Sequence, residues 1–183
     1  MSDDVEFEQV DRLTAGTVGE PGNRVFMIQV VAESVAYTWV LEKEQVVALA
    51  RGAYELLSQV GQHEMTKELL GKGPLGASRP EFDQMMSLVP DEPAFRVDPT
   101  TITLRYEQER DLVQLVFAEY GESALADPAE VKIWVSPRQL AAFGVQGMKV
   151  VGQGRPICPL CGHPMEPEGH QCPGSNGHNP RHR

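Results

Sequence analysis

The residues with the most specific chemistry lie near the C-terminal end of the chain, in the patterns Cys158-x2-Cys161 and His170-x-Cys172. Structural zinc sites bind four thiolate or imidazole ligands in a tetrahedron. A Cys-x2-Cys turn directs two thiolates at one point, and the turn-rich spacer that follows can return the His-x-Cys pair to it. The sequence therefore predicts a small C-terminal zinc hairpin, in which a closed shell of four protein ligands makes the zinc structural rather than catalytic.

Two other histidines compete for the fourth position. His178 follows Cys172 at a finger-like spacing, and His163 lies within the first turn. We prefer His170, because it forms the second ligand pair with Cys172. Spacing alone leaves His178 and His163 open as alternatives.

The cysteines also have two readings without a metal. They could form a redox Cys-x2-Cys pair, or they could have no ligand. A redox pair gains thiolate stability from the N-terminus of a following helix, and Pro159 and Gly162 disfavour a helix here. Metal binding remains our prediction.

A second candidate site is the glycine-rich stretch Gly16–Arg24, read as GTVGEPGNR. An enzyme or phosphate-ligand binder would use Arg24 to hold an anion and Glu20 as acid or base. The stretch lacks the Gly-Lys-Ser/Thr of a P-loop and does not match a dinucleotide fingerprint. Its Pro-Gly-Asn is a turn signal, so the simpler reading is a hairpin or bulged loop.

Composition restricts the functional classes. The chain has 16 Lys and Arg against 26 Asp and Glu, a net charge of -10, which disfavours broad binding to nucleic acid or anionic membrane. No apolar run reaches the roughly eighteen residues of a membrane span, and the acidic N-terminus does not resemble a signal peptide. Three clustered cysteines fit a reducing compartment rather than a secreted disulfide framework, so we expect a cytoplasmic protein.

Hydrophobic periodicity predicts an α+β fold, mainly an antiparallel sheet with two packed helices. The helices are expected from Glu44 to about Val60, and from the Ser-Pro-x-Gln start at Ser136. We predict a body over 1–152, with a flexible excursion at 61–93, and a zinc-binding tail over 153–183. Strands are expected at 5–10, 24–31, 34–41, 100–107, 112–120 and 131–135, with a further extended piece near 95–97.

A short internal echo suggests a duplicated unit of strands followed by a helix. It aligns Trp39 with Trp134 and Gln45 with Gln139. Chance similarity between amphipathic units explains the echo equally well. We expect both tryptophans to be core residues.

The loop Gly16–Arg24 and the CPLCG…GHxCP tail, together with the segment LEKEQV at 41–46, resemble a family of uncharacterised bacterial proteins. That family occurs mainly in high-GC Gram-positive bacteria and is described as a domain of unknown function. The resemblance covers most of the chain and implies His170, not His178, as the ligand. It implies no activity.

Together these patterns predict a zinc-binding, non-catalytic cytoplasmic protein whose β-rich body contacts a protein partner. An enzyme or anion binder acting through Glu20 and Arg24 is the alternative. A nucleic-acid module formed by the tail arginines is the least favoured, because the body is acidic. Those arginines are Arg155, Arg181 and Arg183.

Overall fold

The computed structural model describes residues 4–62, 96–98, 101–120 and 129–154, and residues 158–161, 163, 165, 169–170 and 172 of the tail. Apart from 61–62, the expected excursion at 61–93 lies outside the described residues. The described elements are β1 (Val5–Phe7), β2 (Arg12–Val18), β3 (Val25–Ala32), β4 (Val35–Leu41), α1 (Lys43–Gln59), β5 (Arg96–Val97), β6 (Thr103–Glu107), β7 (Leu112–Tyr120), β8 (Ala129–Val135) and α2 (Pro137–Gly152).

The strands in the described residues form one mixed, mostly antiparallel sheet of eight strands, in the order β1-β8-β7-β5-β4-β3-β2, with β6 paired to β7. The two helices pack together, and the inward side chains of all the long strands join them in one core. The predicted α+β class is therefore confirmed. Neither helix in the described residues has the length and hydrophobicity that crossing a membrane requires.

The sequence pattern did not predict strand β2. We expected a turn-rich loop from Gly16 onward, but Gly16 lies in β2 and pairs with Met27 of β3. Leu13 and Ala15 of β2 point into the core and are 1% and 0% exposed. Burial of one face therefore establishes a strand in spite of the glycine.

The two halves of the chain repeat one topology and exchange their first strands. Each half has a short strand, a three-stranded antiparallel meander and a helix. The short strand β1 pairs in parallel with β8 of the second half, and β5 pairs in parallel with β4 of the first. The predicted repeat of strands then helix is thus present in the fold, with each half completed by a strand of the other.

Equivalent glutamines join the halves at the start of each helix. Gln45 of α1 and Gln139 of α2 accept a hydrogen bond from the N–H of their own N-cap residue, Glu42 and Ser136. Each side-chain amide then donates across to the other half: Gln45 to the carbonyl oxygen of Val97 (3.1 Å) and Gln139 to that of Val10 (2.8 Å). Each glutamine therefore caps its own helix and holds the chain of the other half, within β5 for Gln45 and just after β1 for Gln139.

The tryptophan alignment was wrong by one residue. The helix caps align Leu41 with Val135, so Trp39 corresponds to Ile133. A shift of one residue moves a side chain to the opposite face of a strand. Trp39 is a core residue, 4% exposed, but Trp134 is half-buried on the other face. There its indole N–H donates to Glu6 and the guanidinium of Arg110 lies 4.4 Å from its ring centroid.

The helices approach each other through small residues. A Cβ built on Gly147 would lie 3.2 Å from Val46 and 3.7 Å from the Cβ of Ala50. A Cβ on Gly144 would lie 3.5 Å from the carbonyl oxygen of Ala50. These glycines, which are unfavourable in a helix by ~1 kcal/mol each relative to alanine, allow the close contact between α1 and α2.

We predict that Gly147→Leu lowers the free energy of unfolding by about 1–3 kcal/mol, because the added side chain enters the packed contact with Val46. Gly152→Leu is the matched control, since a Cβ there meets no atom within 4 Å. Urea denaturation of both variants measures the effect. Equal stability of the two variants would contradict the close helix contact.

Candidate metal centre

The four predicted ligand residues come together in the tail. The ligand atoms of Cys158, Cys161, His170 and Cys172 all lie within 4.8 Å of one another. They form two close pairs. The Sγ atoms of Cys158 and Cys172 are 3.7 Å apart, and the Sγ of Cys161 is 3.2 Å from Nε2 of His170.

These separations fit a tetrahedral site. Two sulfurs bound at ~2.3 Å from one tetrahedral ion lie about 3.8 Å apart, and a sulfur–nitrogen edge is about 3.5 Å. The observed pairs match these edges to within a few tenths of an ångström. Three thiolates and an imidazole are donors that suit Zn²⁺, and so this group could hold a metal ion.

The local backbone geometry favours metal binding by Cys158. The residue is 4% exposed, and its N–H donates to the carbonyl oxygen of His163 at 2.9 Å, which closes the first turn. A hydrogen bond from the backbone N–H of Cys161, with a smaller one from that of Leu160, lowers the pKa of the Cys158 thiol, and burial opposes the shift. The turn therefore favours the thiolate, the form that binds a metal.

The structure distinguishes His170 from His163 as candidate ligands. His170 is half-buried beside Cys161. His163 is exposed and is not part of the group of four, so it contributes its carbonyl oxygen to the turn and not its ring to the cluster. His178 lies outside the described residues, as do Arg155, Arg181 and Arg183.

The second candidate site is a hairpin turn. Residues 19–23, which connect β2 to β3, are exposed, and Glu20 accepts a backbone hydrogen bond from the N–H of Asn23. Gly19 has φ +97, and a Cβ there would lie 2.4 Å from the carbonyl oxygen of Asn23, so the turn requires glycine. Arg24 differs from its neighbours, because it is half-buried and its Nε and Nη1 atoms are buried with no hydrogen-bond partner among the described residues.

A row of polar side chains crosses the first meander on the face opposite to the helices. Thr14, Gln29 and Thr38 are 0%, 0% and 7% exposed and occupy adjacent register positions on β2, β3 and β4. The amide of Gln29 donates to Thr38 and accepts from Arg12. This row was not predicted, because β2 itself was missed; the available signal was Gln29, a polar residue inside the apolar run of β3.

Two cavities border α1. One, of about 220 Å³, lies between the helices and is lined by residues that include Tyr54 and Met148. The other, of about 370 Å³, lies between α1 and β6. Neither cavity is lined by Glu20, Arg24 or a ligand residue of the tail.

Comparison with known proteins places the chain in one family. The family described as proteins of unknown function, DUF3090, matches residues 5–172, a range that includes the exchanged strands, both helices and all four ligand residues. No curated protein matches the chain, and no solved structure matches it. The predicted resemblance to a family without assigned activity is therefore confirmed, and the chain belongs to the DUF3090 family.

Proposed function

We propose that this is a non-catalytic interaction protein whose tail is folded around one structural Zn²⁺. The observation that carries the proposal is the convergence of Cys158, Cys161, His170 and Cys172 within 4.8 Å. Four protein ligands fill a tetrahedral shell and leave no position for a water or substrate. The zinc would therefore stabilise a surface and not perform chemistry.

Energetics support a structural role for the ion. A tail of this length has too few apolar side chains to form a core of its own, and among its described residues only Cys158 is buried. Zinc bound to such a site contributes roughly 10 kcal/mol or more of apparent binding free energy, which becomes folding free energy. The metal would supply the folding free energy that the tail does not gain from buried apolar surface.

The partner and compartment follow from charge and thiol chemistry. A net charge of -10 repels nucleic acid phosphates and anionic lipids, so the proposed partner is a protein. Three cysteines that bind zinc must remain reduced, as they are in the cytoplasm. We therefore assign the protein to the cytoplasm.

We predict that purified protein contains about one zinc per chain, and that His170→Ala and Cys172→Ser lose the metal during dialysis against a chelator. His163→Ala is the matched control and keeps its zinc, because that ring is not part of the cluster. Elemental analysis by mass spectrometry measures the content. A metal-free wild type would reject the zinc proposal, and loss of zinc from His163→Ala would reject the ligand set.

Hydrogen exchange on the same samples tests whether the zinc is structural. Removal of the metal should release the hydrogen bond from the Cys158 N–H to the His163 carbonyl oxygen, so amide exchange in the tail rises, while exchange in β2–β4 stays slow. Unchanged exchange in the tail after metal removal would show that the ion does not hold it.

A second candidate is an anion site at Arg24, favoured by two buried guanidinium nitrogens for which the described part of the chain supplies no hydrogen-bond partner. Buried charged donors are rarely left unpaired, and a missing ion is one explanation when they are. Exposure of Glu20 in the turn argues against an acid–base pair with Arg24 in an enclosed active site. The candidate is therefore an anion binder and not an enzyme.

We predict for this candidate that inorganic phosphate at about ten times its Kd raises the melting temperature of wild-type protein by ~3 °C. Arg24→Met keeps most of the apolar stem and removes the charge, so the variant should show no phosphate-dependent shift. Sodium chloride at matched ionic strength is the control. Equal shifts in wild type and variant, or no shift in either, would contradict an anion site.

A further inference from the structure

The two halves of the fold differ in how the helix lies along the first strand of each meander. Helix α2 packs closely on β2 of the first half, and Ala15 lies within 4.0 Å of a Cβ built on Gly147. Helix α1 faces β6 of the second half across a cavity of about 370 Å³. Equivalent register positions carry Ala15 in β2 and Leu104 in β6, and Leu104 lies 3.5 Å from a Cβ built on Gly52 of α1.

The cavity is an open groove whose lining is partly apolar and partly polar. Its walls are formed mainly by Leu49 and Leu56 of α1 and by Ile102 and Leu104 on the β6 side. Gln45 and Gln59, at its two ends on α1, are separated by roughly 21 Å at ~1.5 Å per helical residue. That length accommodates about six or seven residues of extended chain at ~3.3 Å each.

One wall of the groove is an unpaired strand edge. Among the described strands β6 pairs only with β7, so its other edge presents backbone N–H and C=O groups without a strand partner. Such an edge hydrogen-bonds an added strand, and a neighbouring groove selects its alternate side chains. A groove of this kind beside a free edge suits an extended peptide better than a helix, which has no free backbone donors.

Charge restricts the peptide further. Exposed Glu55 lines the groove, and the chain as a whole carries a net charge of -10. No ion pair involving Glu55 occurs among the described residues. A peptide with basic residues between its apolar ones complements this rim.

We propose that the groove between α1 and β6 binds an extended segment of a partner protein, which adds a strand to β6, inserts alternate apolar side chains against Leu56 and Leu104, and places a basic side chain beside Glu55. The proposal rests on the proposed function as an interaction protein and supplies the class of its partner. It does not require any contact with the zinc site.

The test uses zinc-loaded full-length protein and an acetylated, amidated seven-residue peptide of alternating leucine and lysine, with binding measured by fluorescence anisotropy. Two further versions carry N-methyl groups on one or the other set of alternate amides. In an added strand only one set of N–H groups points at β6. We expect one methylated version to bind at least tenfold more weakly than the parent and the other to bind as the parent does.

A groove-filling variant gives the matched comparison. A Cβ on Gly52 would lie 3.5 Å from Leu104, so Gly52→Leu fills the groove from within α1 and leaves the net charge unchanged. We expect at least tenfold weaker binding to Gly52→Leu and unchanged binding to Gly152→Leu, because Gly152 does not line the groove and a Cβ there meets no atom within 4 Å.

Three results of the peptide experiments would overturn the proposal: no saturable binding to wild type up to ~1 mM peptide, equal binding of both methylated versions, or equal binding to Gly52→Leu. Either of the last two results would show that the basic peptide binds the acidic protein by non-specific electrostatic attraction. Binding by a second copy of the chain would appear as concentration-dependent dimer that Gly52→Leu abolishes, without peptide competition, and would also overturn it. Zinc content measured on the same samples keeps failure of the groove separate from failure of the metal site.

Discussion

The exchange of β1 and β5 between the two halves is the constraint on which the rest of the structure depends. Each short strand pairs with a strand of the other half, so neither half forms its part of the sheet alone. Gln45 and Gln139 couple this exchange to the start of each helix, because each side chain hydrogen-bonds both its own N-cap and the chain beside the exchanged strand. These pairings join residues far apart in the chain into one sheet.

The candidate sites lie outside the exchanged strands. The small residues of α1 and α2 allow those helices to make close contact, whereas α1 and β6 border a cavity. The two halves of the repeat are therefore alike in strand order and core packing, and they differ in the contact between helix and strand at the surface. The tail follows α2. Its four candidate ligand residues are close in sequence, so the sheet is not needed to bring them together.

Much of this could be read from the sequence, for reasons that differ between parts. The convergence of Cys158, Cys161, His170 and Cys172 was predictable because these residues are close in the chain and their chemistry is specific. Alternating apolar residues revealed most strands, and Ser136 with Gln139 marked the second helix. β2 was missed because the chemistry of Gly16 indicates a turn, whereas its burial depends on β3 and α2. The exchanged strands were unpredictable, since a pairing such as Val5 with Val131 leaves no local signal.

The central claim is that a single zinc ion is bound by three sulfurs and one nitrogen in the tail. X-ray absorption spectroscopy at the zinc edge tests it most directly, because it counts the ligand atoms and measures their distances. The account predicts about three sulfurs at ~2.3 Å and one nitrogen at ~2.0 Å, with no bound water. A shell with a water oxygen, or with two or fewer sulfurs, would contradict it.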